Sequence, residues 1–434
     1  MSRIYGSLLR DVILISVLSN SWALLFGMLL LMVGNGLHGT LLGVRGEIEQ
    51  FSTFEMSIVM SAYFVGFLGA SRLAPEMIRR VGHVRVFAAL ASFISAVLVL
   101  FPLVANPWVW ACGRVIIGFC FCGVYVTAES WLNNAATNAN RGQSLSLYMV
   151  IQMLGLVAGQ GLLIMADPGG FALFIIISIL VSLSFAPILL SISPTPAFET
   201  TKPMQLKQLV LTSPLGCVGM FLLGGVFSVQ FGMASVFGAE ISLSLAEISA
   251  FAAAFYIGAM LVQYPVGWMS DRMDRRKLIM GLSILGTLGA LVAIISGSNF
   301  IVLLLSAFIV GGMSNPLYSL LIAHTNDYLD FDDMAAASGG LLFINGIGAI
   351  SGPLVVGWMM QSHGPFGYFL IIAILMGTLA TYAAFRTTQR AAPSVEDANS
   401  YTPVLPTASP VILELAQEFA IETAQEDENT QNEG

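Results

Sequence analysis

Residues 246–296 read AEISAFAAAFYIGAMLVQYPVGWMSDRMDRRKLIMGLSILGTLGALVAIIS, and this stretch decides the fold. Two long apolar runs, 246–269 and 278–296, are separated by a short segment that is dense in charge. A helix of about 20 apolar residues crosses the roughly 30 Å hydrocarbon core of a bilayer with its backbone polar groups bonded internally. The stretch therefore predicts two membrane helices joined by a tight charged turn.

The rest of the chain repeats this pattern. Of 434 residues, 56% are hydrophobic and 10% are charged, whereas soluble domains carry about 25% charged residues. A water-soluble surface is therefore excluded. We predict an all-α polytopic membrane protein with 12 transmembrane helices, at 20–42, 56–77, 84–103, 108–130, 144–166, 171–192, 214–236, 246–269, 278–296, 300–323, 336–360 and 367–385.

The formal net charge of −8 lies in the C-terminal tail. Residues 391–434 contain nine acidic residues and no Lys or Arg. Such a tail lacks the cations that nucleic acid would require, so no nucleic-acid partner is expected. The four cysteines lie in or beside predicted spans, which favours packing over disulfides or a metal site. No metal and no cofactor are expected, and the function does not require an oligomer.

Basic residues collect in alternate loops, and by the positive-inside rule those loops face the cytoplasm. We therefore predict an integral protein of the cell (inner) membrane with both termini cytoplasmic, Arg45 being the one base in an opposite loop. The loop after the tenth span breaks the pattern, since it holds Asp327 and three further aspartates without a base. The bases of the predicted cytoplasmic loops are Arg3, Arg10, Arg79, Arg80, Arg85, Arg141, Lys202, Lys207, Arg272, Arg275, Arg276, Lys277, Arg386 and Arg390.

The chain contains an internal repeat. A shift of 192 residues pairs Gly66 with Gly258, and a shift of 193 pairs Gly118 with Gly311. This shift equals six spans, so the two halves should have the same orientation in the membrane. We predict an N-terminal six-helix bundle at 1–192, a proline-containing cytoplasmic linker at 193–213, a C-terminal six-helix bundle at 214–390 and an acidic, disordered cytoplasmic tail at 391–434.

The charged turn at 267–276 resembles the G-x-x-x-D-R-x-G-R-R loop of the major facilitator superfamily, through Gly267, Asp271, Arg272, Arg275 and Arg276. The resemblance implies the major facilitator fold, two parallel six-helix repeats that rock about a central cleft. Further strings resemble the YcaD-type branch of that superfamily. They are Gly36-Leu-His-Gly-Thr-Leu, Glu129-Ser-Trp-Leu-Asn and Arg141-Gly with Tyr148.

In the superfamily this turn gates access to the cleft, and the resemblance extends that role to two loops here. The second-half loop keeps Asp271 but has Asp274 in place of the motif's glycine. The first-half loop has Arg79 where the acid should be, so the gating role is better supported at Asp271 than at Arg79. The gating residues so implied are Arg79, Arg80, Gly82, Asp271, Arg272, Arg275 and Arg276.

Charged residues inside spans need a partner or a water-filled cavity. Arg114 with Gly118 resembles the R-x-x-x-G pattern of proton-coupled antiporters, although a structural arginine bonded to carbonyls explains it equally well. Glu129 lies later in the same span and could pair with Arg72 as a structural or gating ion pair, or could carry a proton. Arg114 and Glu129 are therefore the coupling candidates.

Four uncharged polar residues are candidates for the cleft: His38, Gln152, Gln230 and Asn345. They lie in spans that line the cleft in this superfamily, and the repeat pairs His38 with Gln230 and Gln152 with Asn345. Each could bind a polar solute or could hydrogen-bond neighbouring helices together. No span presents a catalytic set of side chains, so an enzyme is not expected.

The leading hypothesis is a secondary active transporter of a small organic solute by alternating access. Secondary transport is expected because no nucleotide-binding motif is present to supply ATP energy. Proton coupling is expected with it, and export is preferred from the Arg114 resemblance alone. The partners are then a small-molecule substrate, protons and the lipid bilayer. The alternative is a sensor or assembly protein of the same fold that acts through its acidic C-terminal tail.

Overall fold

The computed structural model describes residues 2–135, 141–190, 204–389, 401, 403 and 404. Within these residues the regular structure is helical, and 12 helices are long and apolar enough to cross a membrane. The helices are α1 Ser2–Ile48, α2 Thr53–Val81, α3 His83–Leu103, α4 Pro107–Ala135, α5 Arg141–Leu162, α6 Ala172–Ser184, α7 Ala186–Leu190, α8 Leu206–Thr212, α9 Pro214–Gly232, α10 Ala234–Glu240, α11 Leu245–Ser270, α12 Arg275–Ser296, α13 Phe300–Asn326, α14 Phe331–His363 and α15 Gly367–Gln389. The all-α polytopic fold class predicted from the sequence is confirmed.

Three short helices were not predicted. The sixth span is divided into α6 and α7 at Phe185, and the seventh ends at Gly232 before the separate helix α10. The linker contains α8, which precedes α9 directly. The predicted domain boundary at 192/193 and nearly all of the predicted acidic tail lie outside the described residues, so those boundaries stay predictions.

The repeat recurs in the local structure of the two halves. α2 and α11 each begin with a reciprocal capping box, formed by Ser52 with Glu55 and by Ser244 with Glu247. In each box the serine side chain accepts a hydrogen bond from the glutamate N–H, and the glutamate carboxylate accepts one from the serine N–H. The two boxes are related by the shift that relates Gly66 to Gly258.

Helix pairs pack through glycine at equivalent places in both halves. A methyl group on Gly66 would lie 1.9 Å from the carbonyl oxygen of Val115, and one on Gly258 would lie 2.1 Å from that of Phe308. These contacts bring α2 against α4 and α11 against α13. Only glycine allows two helix backbones to approach this closely.

The two halves meet around a central axis. α1 packs on α5 and α9 packs on α14, while contacts between the halves run mainly through α2 with α14, α1 with α10 and α5 with α11. We call the end of the molecule that carries α8 and the end of α11 the linker side, and the end that carries residues 49–52 and 241–244 the far side. Large apolar side chains such as Ile295, Trp108 and Leu261 are exposed on the outer surface. They face the bilayer of this integral membrane protein.

Candidate central binding site

A central cavity of about 1210 Å³, counted with its open part, lies between the two halves. Both halves contribute to its wall, which is mostly apolar and aromatic. Few polar or charged residues line it, as is usual for pockets that hold organic ligands. The lining residues are Asn35, Gly36, Gly39, Thr40, Tyr63, Phe64, Phe67, Leu68, Ser71, Arg114, Met153, Leu156, Phe227, Phe231, Gly232, Tyr256, Asn315, Leu342, Asn345, Gly346 and Ala349.

Contacts between the halves close the cavity on the far side. Ser61 of α2 donates a hydrogen bond of 2.6 Å to the carbonyl oxygen of Ile350 in α14. Ser249 of α11 donates to the carbonyl oxygen of Gln160 in α5. Because these bonds join the first half to the second, the structure is in a state sealed on the far side.

The same seal includes a half-buried carboxylate. Thr53 at the start of α2 donates a hydrogen bond to Glu240 at the end of α10. Burial raises the pKa of Glu240, and this effect outweighs the hydrogen bond from Thr53. The far-side seal therefore contains an acid that binds a proton more readily than an exposed glutamate.

Arg114 lies in the wall of the cavity with neutral partners. Its side chain donates to Nδ1 of His38 at 3.3 Å and lies near the sulfur of Met60 at 3.8 Å. Its guanidinium carbon is 4.6 Å from the centre of the Tyr63 ring, and its Nε–H has no hydrogen-bond partner. Glu129 is roughly 22 Å farther along α4 at about 1.5 Å per residue. Among the residues that the structure describes, no carboxylate bonds Arg114, which is thus a buried cation with neutral partners.

The four predicted cleft residues occupy different places. Asn345 lines the cavity and also donates to the carbonyl oxygen of Met220 at 2.9 Å. His38 lies behind Arg114 and packs against Phe101, with ring centroids 5.4 Å apart. Because Nδ1 accepts from Arg114, the ring proton belongs on Nε2, which has no partner.

Gln230 and Gln152 are buried away from the cavity wall. Gln230 exchanges two hydrogen bonds with Ser314, at 3.0 and 3.1 Å, and so joins α9 to α13. This is the helix-joining role that the sequence left open as an alternative to solute binding. Gln152 lies on α5 outside the lining.

Four polar lining residues were not among the predicted site residues: Asn35, Thr40, Ser71 and Asn315. Asn315 has a carboxamide oxygen without a partner, while Asn35 donates to Tyr125 and Thr40 donates to Gln160. The predicted cleft residues are polar residues that the repeat pairs with polar residues. Asn35 and Asn315 fall opposite Phe227 and Cys122, so only their position in the middle of apolar spans could have revealed them.

Glu129 and Arg72 do not pair. The guanidinium of Arg72 lies over the ring of Phe343, 4.6 Å from its centre, and this contact joins α2 to α14. Glu129 is buried and accepts a hydrogen bond of 3.2 Å from the hydroxyl of Tyr148. The expected ion pair is therefore wrong, and each residue instead links its helix to a neighbour.

The first-half loop has an exposed arrangement. Arg79 and Arg80 both bond the carboxylate of Glu76, at 2.8 and 2.6 Å, with more than half of each arginine side chain exposed. Gly82 has φ of 85°, a conformation that favours glycine and lets α2 turn directly into α3. Both arginines of this loop are therefore bonded to an acid of their own helix.

The second-half loop is more deeply embedded. Arg275 forms a buried ion pair with Asp327, and Arg276 pairs with Asp274 at 2.8 Å. Burial acts to raise the pKa of Asp274, but hydrogen bonds from Arg276 outweigh it and hold that pKa below the usual value. Arg272 lies over the ring of Trp268. Asp271 accepts a hydrogen bond of 2.9 Å from the backbone N–H of Tyr401.

Pairing with Arg275 accounts for one charge that had no explanation in the sequence. Asp327 follows α13, and its side chain is 5% exposed where it meets Arg275, itself 3% exposed. Within the described residues no group of three or more His, Cys, Asp or Glu side chains could hold a metal ion.

The parallel halves, the twelve membrane helices and the central cavity define a two-bundle membrane transporter fold. The chain matches the Major Facilitator Superfamily over residues 13–217 and 215–418, and it belongs to that superfamily. The family consists of transporters rather than enzymes. The predicted superfamily is thus confirmed.

Relatives with curated descriptions agree with this assignment. One is an uncharacterized MFS-type transporter of Yersinia pestis (strain Pestoides F), 24% identical over 352 residues that cover 81% of this chain and 91% of the relative. Another is the uncharacterized MFS-type transporter YcaD of Escherichia coli O17:K52:H18 (strain UMN026 / ExPEC), 26% identical over 357 residues with the same coverage. The resemblance to the YcaD-type branch is borne out.

Solved structures show the same fold. The nucleoside transporter NupG, as its D323A mutant, matches with a TM-score of 0.73 at 14% identity, covering 84% of this chain and 99% of that chain. FucP in the outward conformation matches with a TM-score of 0.54 at 14% identity, covering 84% and 97%. At this identity the likeness concerns the fold alone.

Proposed function

We propose that this chain is a secondary active transporter that carries a small organic solute through the central cavity by alternating access. The observation that carries the proposal is a cavity of about 1210 Å³, counted with its open part, that lies between two repeated halves and is sealed on the far side by inter-half hydrogen bonds. A site at the interface of two parallel repeats can open to either side when one half rocks against the other.

The positive-inside rule supports a cytoplasmic linker side, because most loop bases lie there. The protein is then an inner-membrane transporter with both termini cytoplasmic, described in its cytoplasm-facing state. We propose the same domain division that the sequence predicts, at 1–192, 193–213, 214–390 and 391–434.

The residues of the site take different roles in this proposal. Asn345 and Arg114 contact the solute, His38 positions Arg114, and Gln230 joins the lining helices α9 and α13, while Gln152 is buried on the lining helix α5. The two charged loops take part in gating, with the second loop contributing through Asp271.

Proton coupling is proposed at the buried ionisable groups. Protonation of His38 would place a second cation beside Arg114 and end its role as hydrogen-bond acceptor, so proton binding and the position of Arg114 are linked. Glu129 is the second candidate, because it is buried beside Tyr148 on a helix that lines the cavity. Export is the proposed direction, from the likeness of Arg114 and Gly118 to the antiporter pattern.

Proteoliposomes that contain a pH-sensitive dye test the function. We expect at least one solute among amino acids, sugars, organic acids and cationic drugs to drive proton movement across the membrane. In Arg114→Gln this movement should fall at least tenfold, while the exposed variant Arg85→Gln should keep it. Absence of flux for every solute, with folded protein and a working control transporter, would contradict the proposal.

A further inference from the structure

We infer that the transported solute is an organic anion, a small carboxylate with an aromatic or otherwise apolar body, and that Arg114 binds its charge. The inference rests on the proposed transport function and names its substrate class. It follows from the charge, the partners and the shape of the central cavity.

The cavity wall carries a positive charge. Among the lining residues Arg114 is the one that carries a full charge near neutral pH. A cation in an apolar membrane interior is costly unless an anion or several strong acceptors compensate it. The partners of Arg114 are an imidazole, a thioether and an aromatic ring, all of them neutral.

Two polar groups in the cavity wall have no hydrogen-bond partner. The Nε–H of Arg114 has no acceptor, and a guanidinium bonds a carboxylate through two parallel N–H groups. Asn315, also in the wall, holds a carboxamide oxygen without a partner. The wall therefore holds one unpaired N–H of Arg114 and one unpaired oxygen of Asn315, and a carboxylate that takes the place of Met60 beside Nη2 would complete a planar donor pair on Arg114.

Most of the cavity wall is aromatic or apolar. Phe231 and Tyr256 stack with ring centroids 4.7 Å apart and an interplanar angle of 11°. Phe64, Phe67 and Phe227 add further aromatic wall. An inorganic anion would leave this surface unused, whereas an aromatic or aliphatic body would cover it. An inside-negative potential also drives an anion outward, in the proposed direction of export.

Three probes of one shape test this inference: benzoate, benzamide and benzylamine, with charges of minus one, zero and plus one. We expect benzoate to raise the melting temperature of the purified protein in detergent, and benzamide, benzylamine and chloride at equal ionic strength to leave it unchanged. Arg114→Gln should weaken the apparent benzoate affinity at least tenfold. Arg114→Lys should weaken it less, because the charge remains but the planar donor pair is lost.

Asn315→Asp provides a second variant if Arg114→Gln fails to fold. It adds a negative charge to the same wall and should abolish the benzoate effect. The inference is overturned if benzamide or chloride stabilises as well as benzoate, if Arg114→Gln keeps the benzoate effect, or if no carboxylate from formate to 3-phenylpropionate stabilises the protein. Flux of a neutral or cationic solute in proteoliposomes would then leave the transport function standing.

A second inference comes from a separate place in the molecule, the linker-side groove between α5 and α11. Part of the C-terminal tail lies in it, and we call Tyr401, Pro403 and Val404 the docked segment. Tyr401 and Pro403 form part of the wall of a cavity of about 1190 Å³, counted with its open part, in this groove. We propose that the docked segment holds the transporter open on the linker side and must leave before that side closes.

The docked segment is bound at both ends. The backbone N–H of Tyr401 donates to Asp271 at 2.9 Å, and its hydroxyl accepts from Gln263 at 2.9 Å. Val404 is buried, and its N–H donates to the hydroxyl of Ser319 at 2.8 Å. That hydroxyl in turn donates to the carbonyl oxygen of Val404 at 3.1 Å.

The groove is shaped for the segment. A methyl group on Gly267 would lie 2.8 Å from the Tyr401 ring, so the glycine of the charged turn makes room for the aromatic side chain. Ser319 lies about 10 Å before the end of α13 at about 1.5 Å per residue, so the segment reaches well into the helical bundle.

These contacts link the segment to gating. Gln263, Asp271 and Ser319 belong to the second half, whereas Ser146, Met149 and Val150 on the opposite wall belong to α5 of the first half. Closing the linker side would bring the two walls together, and the docked segment occupies that space. It also engages Asp271, the acid of the proposed gating loop.

Distance measurements between spin labels test this device without a known substrate. Labels at Arg85→Cys and Lys277→Cys, in a background without native cysteines, sit at exposed and repeat-related positions on the two halves. In full-length protein we expect one dominant long distance. In Tyr401→Ala/Val404→Asp, and in a chain truncated after Gln389, the population at a shorter distance should at least double.

A chain truncated after Pro410 is the matched control, because it removes the acids from 414 onward and keeps the docked segment. It should give the full-length distribution. Unchanged distributions in Tyr401→Ala/Val404→Asp and in the Gln389 truncation would overturn the inference. An effect from the Pro410 truncation equal to that of the Gln389 truncation would also overturn it, since the acidic remainder would then be responsible.

Discussion

Replacing Gly118 with alanine will destabilise the protein, although alanine is the better helix former. A methyl group at this position would lie 1.9 Å from the carbonyl oxygen of Tyr63, which belongs to the backbone of the facing helix α2. The helices must separate to admit it, and overpacking of this kind costs about 1–3 kcal/mol. We expect a lower melting temperature in detergent and a lower yield of monodisperse protein, measured by fluorescence-detected gel filtration after heating.

Gly281→Ala is the control for this experiment. Gly281 also lies within a helix, but a methyl group there would meet no atom within 4 Å. Alanine favours a helix over glycine by about 1 kcal/mol, so this variant should be neutral or more stable. Gly311→Ala, at the repeat-related position, should behave like Gly118→Ala. Equal melting temperatures for Gly118→Ala and Gly281→Ala would contradict the close approach of α2 and α4.

Removing one partner of the Arg275–Asp327 pair will cause the second large loss of stability. Both side chains are almost fully buried, and Arg275 also bonds Ser270 at 3.1 Å and the carbonyl oxygen of Ala323 at 3.3 Å. Breaking a buried pair leaves an uncompensated charge and costs about 3–5 kcal/mol. We expect Asp327→Ala and Arg275→Ala to lower the melting temperature strongly, with Asp327→Ala more harmful than Asp327→Asn.

Two further variants make this prediction specific. Arg80→Ala removes an ion pair from the repeat-related loop, but that arginine is 73% exposed, and exposed pairs contribute about 0–1 kcal/mol. It should therefore leave the melting temperature nearly unchanged. Arg275→Met/Asp327→Leu removes both charges and should recover part of the loss. A loss in the double variant equal to the sum of the single losses would show that the two residues do not stabilise each other.

The local sequence pattern predicted the helices well because each span must form its backbone hydrogen bonds within itself. The spans predicted at 246–269 and 278–296 are observed as α11 and α12, at Leu245–Ser270 and Arg275–Ser296. The observed helix starts differ from the predicted ones because the N-cap residues Ser244 and Asp274 fix them. The break at Met233 was missed, because apolar composition continues through it.

The site was harder to predict because its chemistry depends on which face of each helix meets the cavity. Asn345 faces it and Gln230 does not, although both are polar residues in lining spans. Because the prediction relied on the repeat, it placed both residues of each repeat-related pair in the cleft. A binding site between two halves does not need that symmetry, and Asn315 lies opposite a cysteine in the repeat.

The sequence by itself determined the membrane location, the number of spans, the repeat and the superfamily, since these follow from hydropathy, spacing and a local motif. Only the tertiary structure decided the partners of the charges: Arg114 with His38, Arg275 with Asp327, and Asp271 with the backbone of Tyr401. The physical reason is that a helix satisfies its own backbone locally, whereas a buried side chain must find its partner on another helix, far away in the chain.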